Sequence, residues 1–181
     1  MDEKMVSLRI NDIPVTVPEG STVLEAARSA GFNIPSLCFL KDINEIGACR
    51  ICVVEVKGAK SLVASCVYPV AEGMEVYTNT PKVLDSRKKT LQLILSTHKR
   101  ACLSCVRSGN CALQALSKAM NIQSVPVRKE ATERPWDPAL PILRDSSKCI
   151  KCLRCVSVCD RVQSLGVWEV TGSGAHTTVR I

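Results

Sequence analysis

The sequence predicts an α+β protein of small modules, each built around a group of cysteines. Three observations predict it. Two short alternating apolar runs, MVSLRI and IPVTV, open the chain as strands do, and a helix-like stretch follows them. Further on, apolar residues recur at helical spacing instead. The 11 cysteines fall into three groups with none left over, so the modules are organised around their loops as much as around a core.

The two opening strands meet at Asn11-Asp12, a hairpin signal. Thr22-Val23-Leu24-Glu25-Ala26-Ala27 reads as a helix, with Ser21 or Thr22 as N-cap and Gly31 as its end. ICVVEV, SLVASC and MEVYT add strands, so residues 1–79 read as a small mixed sheet with one helix across it. Thr80-Pro81 starts a second helix, since proline suits the first helical position. Its apolar stripe is Val83, Leu84, Leu91, Ile94 and Leu95; Asp85, Arg87, Lys88 and Lys89 form the wet face. This helix delivers His98 to a second module, residues 80–125, closed by a helix over Ala112 to Met120 in which Met120 is a packing residue. VPVRKEATERPWDPALPIL, proline-rich and of mixed charge, predicts a linker over 126–145, pinned by Trp136. Residues 146–181 form a last module that ends in a hairpin, QSLGVWEVTGSGAHTTVRI.

Only 3% of residues are aromatic, so something besides apolar burial must help hold these modules. Disulfides do not fit: the cysteine count is odd, C-x-x-C pairs abound, and MDEKMVSLRIN has no signal-peptide core. Cysteines reserved for metal in a reducing cytoplasm fit better. No apolar run reaches membrane-spanning length. The formal charge of +7 counts every cysteine as neutral, whereas metal-bound cysteines are thiolates. Three iron–sulfur sites would remove roughly three to six units. The other basic residues are dispersed, without interleaved aromatics to stack bases, which argues against nucleic-acid binding. A positive face for an acidic redox partner or a nucleotide-bearing subunit is the more economical use.

Cys38, Cys49, Cys52 and Cys66 have the spacing C-x10-C-x2-C-x13-C, and Gly47 and Ala48 let backbone amides approach the ligands. Four thiolates suit zinc or a 2Fe–2S cluster. His98, Cys102, Cys105 and Cys111 form H-x3-C-x2-C-x5-C, whose ligand set alone leaves a zinc site of three cysteines and one histidine possible. Cys149, Cys152, Cys155 and Cys159 form C-x2-C-x2-C-x3-C, the bacterial-ferredoxin run, in which the fourth cysteine ligates a second cluster. No cysteine follows Cys159, so the second cluster lacks its other ligands and the module reads as truncated; His176 reads as a solvated turn residue before a substitute ligand. Neither a phosphate-binding loop nor an acid–base pair is present, and Glu55 and Glu72 read as ordinary surface charges, so no catalytic residue is expected.

PSLCFLKDINEIGACRICVVEV with ASCVYPVAEGMEVYTNT resembles the N-terminal ferredoxin module of two related families, the large iron–sulfur subunit of NADH dehydrogenases (complex I) and the multi-cluster FeFe hydrogenases. The resemblance implies a β-grasp fold with a 2Fe–2S cluster on Cys38, Cys49, Cys52 and Cys66. HKRACLSCVRSGNCALQ resembles their 4Fe–4S motif with one histidine and three cysteines, which implies ligation by His98, Cys102, Cys105 and Cys111. Ala101 departs from the aspartate frequent there. RCVSVCDRVQSLGVWEVTGSGAHTTV looks more like FeFe hydrogenases than complex I, and implies a 4Fe–4S cluster on Cys149, Cys152 and Cys155, with Cys159 on an incomplete second one.

The expected function is an electron-transfer relay at the front of an oxidoreductase, most like an FeFe hydrogenase coupled to ferredoxin or NAD(H). Its implied partners are a flavin subunit that oxidises NADH, or ferredoxin, within a complex or a longer chain. The iron–sulfur subunit of NADH dehydrogenase or of NAD-linked formate dehydrogenase is the alternative; a zinc-stabilised interaction module is the rival from another class.

Overall fold

The computed structural model describes residues 4–127 and 144–181, so Trp136 and most of the expected linker lie outside the described residues. Strands β1 (Met5–Ile10) and β2 (Ile13–Pro18) form the expected antiparallel hairpin. Asn11 and Asp12 both take positive φ, 48° and 66°, as a two-residue turn matching strand twist requires. Alternation turns Val6, Leu8 and Ile10 inward and leaves Met5, Ser7 and Arg9 outside.

Helix α1 (Val23–Ser29) starts at Thr22, whose hydroxyl accepts from the Glu25 N–H while Glu25 accepts from the Thr22 N–H, a reciprocal capping box. It stops where Gly31 takes φ +81°, letting the Gly31 and Phe32 N–H groups return to the Arg28 and Ala27 carbonyls. Its buried face (Val23, Leu24, Ala26, Ala27) joins the inward strand residues in one core.

Strands β3 (Val53–Val56), β4 (Val63–Ala64) and β5 (Glu75–Tyr77) complete a five-stranded sheet of order β2-β1-β5-β3-β4. The β1–β5 pair is parallel and the others are antiparallel. The strands are shorter than ICVVEV, SLVASC and MEVYT suggest, because Cys52 and Cys66 lie just outside the ladder ends.

Helix α2 (Pro81–Ser96) begins at its expected cap, Thr80, with proline first. Two expectations about its faces are corrected. Leu84 is 50% exposed, and Arg87 is 3% exposed, on a buried line with Val83, Leu91 and Leu95 at i, i+4 spacing. The Arg87 guanidinium turns inward to the Val53 carbonyl. Asp85 and Lys89 do face water, as an ion pair. Glu55 and Glu72 also do more than carry charge: Glu55 accepts from the Thr80 hydroxyl and Glu72 from the Ser7 N–H.

Helix α3 (Ala112–Ala119) ends at Met120, which packs against a second core as expected. Helix α4 (Arg154–Arg161) and the hairpin β6 (Glu169–Thr171) and β7 (Thr178–Arg180) form the last part. Among the described residues no helix is long and apolar enough to cross a membrane.

Candidate metal centres

The first cysteine group lies on loops at one end of the sheet. Gly47, at φ +63°, and Arg50, at φ 54°, bend the chain on either side of Cys49. A side chain at Gly47 would also press on Val67 Cγ2 at 3.3 Å. Cys38, Cys49, Cys52 and Cys66 are all buried. The Cys52 and Cys66 sulfurs lie 3.3 Å apart, and the Cys49 N–H points at Cys38 Sγ, 3.5 Å away. Thiol contacts from Cys49 and then Cys66, with N–H groups of Cys49 and Ala48, push Cys38 down to about 2. The Cys66 thiol pulls Cys52 down to about 6, against the cost of burial. The same thiol contacts, with burial, push Cys49 and Cys66 up. The four thiols thus lie close enough to act on one another, and a cationic metal would take them as thiolates.

His98 follows the end of α2, half-buried, with its N–H on the Leu95 carbonyl. Burial lowers the imidazole pKa, opposed by a hydrogen bond to the Lys148 carbonyl. Nδ1 is buried with no hydrogen-bond partner among the described residues. A buried ring nitrogen with no hydrogen-bond partner is available to ligate a metal. His98, Cys102 and Cys111 line one cavity of about 160 Å³ with Leu95, Leu113 and Gln114; Cys105 is not part of its lining. Cys102 opens a short 3-10 turn, Cys102–Ser104, and Cys111 is the N-cap of α3. Gln114 closes the loop by accepting from the Gly109 N–H at 3.1 Å.

In the third group, Lys151 (φ 57°) and Leu153 (φ 60°) are left-handed, which curls the run and turns the Lys151 N–H toward Cys149 Sγ at 3.4 Å. Cys155 is within electrostatic reach of Cys152 and Cys149. Cys159 is buried on α4, and His176 is exposed in the β6–β7 turn. Among the described residues no group of three or more His, Cys, Asp or Glu side chains has an arrangement that would hold a single metal ion. In a 4Fe–4S cluster each thiolate binds its own iron, and in a 2Fe–2S cluster the four bind in two pairs, so the ligand set as a whole is spread more widely than around one zinc.

Residues outside the motifs join the groups. Asn44, fully buried, donates through Nδ2 to the carbonyls of both Cys38 (2.8 Å) and Cys152 (3.0 Å), and its Oδ1 accepts from Ser157. Arg154 donates to the Cys38 and Phe39 carbonyls. Cys38 and Cys49, Cys111, and Cys152 all meet in the second core around Leu91, Leu95 and Leu113. Asn44 and Arg154 were not singled out from sequence, because their partners are more than 100 residues away or are backbone carbonyls.

Residues 3–81 match the 2Fe-2S iron-sulfur cluster binding domain, and residues 87–126 match the NADH-ubiquinone oxidoreductase-G iron-sulfur binding region. The gamma subunit of the NAD-reducing hydrogenase HoxS of Cupriavidus necator is 31% identical over 185 residues, a match spanning 97% of this chain and 75% of that one. The chain belongs to the family of the HoxS gamma subunit. It thus contains a 2Fe–2S binding domain followed by a 4Fe–4S binding region. Other relatives are longer. NADP-reducing hydrogenase subunit HndD of Solidesulfovibrio fructosivorans is 41% identical, and the match spans 97% of this chain but 31% of HndD. The NADH-ubiquinone oxidoreductase 75 kDa subunit of Reclinomonas americana is 30% identical, with 97% of this chain and 26% of that protein spanned. A crystal structure of NAD+-reducing [NiFe]-hydrogenase has a chain that superposes with a TM-score of 0.85 at 28% identity, covering 96% of this chain and 74% of that one.

Proposed function

We propose that this chain is an iron–sulfur electron relay serving an NAD(P)-linked oxidoreductase. The observation that carries the reading is the second core, where residues from all three cysteine groups pack together. In this reading Cys38, Cys49, Cys52 and Cys66 hold a 2Fe–2S cluster within a β-grasp fold, supported by the mixed sheet with its parallel β1–β5 pair. His98, Cys102, Cys105 and Cys111 hold a 4Fe–4S cluster, supported by the unused His98 Nδ1. Cys149, Cys152 and Cys155 hold another, with Cys159 available to a further one. Such clusters supply one-electron transfer when bound. The chain's own residues bury the four sulfurs of the first group, aim N–H groups at Cys38 and Cys149, and half-bury the His98 ring.

Within this reading a hydrogenase is supported by the 41% identity to HndD and by the hydrogenase-like stretch after Cys155. The NADH dehydrogenase reading has equal support, from the family matched over residues 87–126 and relatives such as the Reclinomonas americana protein. A flavin subunit that handles NADH, or ferredoxin, is the proposed partner, and the cytoplasm the proposed location. Stepwise reduction of the anaerobically purified chain, followed by electron paramagnetic resonance, tests the relay. Cys52→Ser should alter only the 2Fe–2S signal and Cys105→Ser only that of the histidine-bearing centre. A colourless protein containing zinc, silent on reduction, would contradict it. Hydrogen-dependent NAD(P)+ reduction by the native complex separates the hydrogenase reading from its alternative.

A further inference from the structure

Arg87 stands where an apolar side chain would complete the α2 line Val83, Leu91, Leu95, yet it is 3% exposed and charged. Its Nε and Nη2 both donate to the Val53 carbonyl, at 3.2 and 2.7 Å. That carbonyl satisfies two N–H groups but carries no net charge. Among the described residues no carboxylate acts on the guanidinium; the one charged side chain that does is Cys52, which favours the cationic form against the opposing effect of burial. A cation removed from water is costly unless an anion lies close by. Val53 directly follows Cys52, which is itself fully buried and 3.3 Å from the Cys66 sulfur.

We propose that Arg87 is the buried counter-charge of the first centre and raises its reduction potential, a role that rests on reading Cys38, Cys49, Cys52 and Cys66 as its ligands. A fixed cation stabilises whichever redox state carries the extra electron. Because a guanidinium stays protonated at any working pH, the effect is permanent. Arg87 touches no reacting group and acts through Cys52, so it is a positioning and tuning residue. A merely structural strut would change stability and leave the potential alone.

The test is a redox titration of the anaerobically purified 181-residue chain, read by electron paramagnetic resonance. In Arg87→Gln the ratio of reduced to oxidised 2Fe–2S centre at a fixed potential should fall by about tenfold or more, some 59 mV for one electron. The histidine-bearing centre should move by less than about twofold, and Arg87→Lys, which keeps the charge, by less than about threefold. Should the glutamine variant not assemble, Arg87→Met fills the position with an apolar side chain of similar reach and carries the same test. A neutral variant with an intact 2Fe–2S signal and a ratio within about twofold of wild type overturns the proposal. A wild-type chain with no 2Fe–2S signal on reduction overturns the ligand reading itself, and needs no variant to be seen.

Discussion

His98 concentrates the chemistry of the middle motif in one ring. A buried imidazole nitrogen without a hydrogen bond costs roughly 1–3 kcal/mol, a penalty that a metal–nitrogen bond would remove. His98→Ala should therefore lose about four iron atoms per chain by elemental analysis, if the site holds a 4Fe–4S cluster. His98→Cys should keep them and show a lower potential, because a thiolate adds negative charge where the imidazole had none. Unchanged iron and unchanged potentials in both variants would remove His98 from the ligand set. The twelve candidate ligands were legible because metal motifs are local spacings. Arg87 was half-legible: it sits at the i+4 step between Val83 and Leu91, but its charge argued for water. Asn44 was not legible, since nothing near it in the chain signals that its amide spans Cys38 and Cys152.

At the scale of elements, α1 shows how much a cap contributes. Thr22→Ala should lower stability by about 1 kcal/mol, measured as a shift in unfolding midpoint, because the Glu25 N–H loses its acceptor. Glu25 adds a pH dependence of known sign. The Thr22 N–H, foremost, holds its carboxyl below the usual 4.5, so the ionised form is the one the fold stabilises. That stabilisation is full above pH 4.5 and fades as pH falls through the lower folded value. Glu25→Gln should thus be less stable than wild type at pH 7, and the difference should close in acid; a constant difference would contradict it. Hairpin, helices and caps were readable from turn residues, Ser/Thr caps and apolar period. The strand ends were not, because Cys52 and Cys66 leave the ladder for the site, a tertiary demand that β propensity does not register.

For the whole molecule, the decisive feature is that separate cysteine groups share one core and are tied by Asn44 and Arg154. Asn44→Ala leaves the Cys152 carbonyl without that donor and should weaken docking of α4 by about 1–3 kcal/mol. Hydrogen exchange in α4 (Arg154–Arg161) should quicken while β1 and β2 stay protected. Equal protection in variant and wild type would show that Asn44 does not hold the groups together. The order of strands and helices was largely readable from sequence; the shared core was not, because each motif specifies its own loop and says nothing of its neighbours. The central claim, three iron–sulfur centres in one chain, is tested most directly by iron, sulfide and zinc analysis after purification without oxygen. The expected result is about ten iron atoms and as many sulfides per chain, two for the first centre and four for each of the others. About six would mean that only the first two centres are filled, and near-zero iron with stoichiometric zinc would contradict the account.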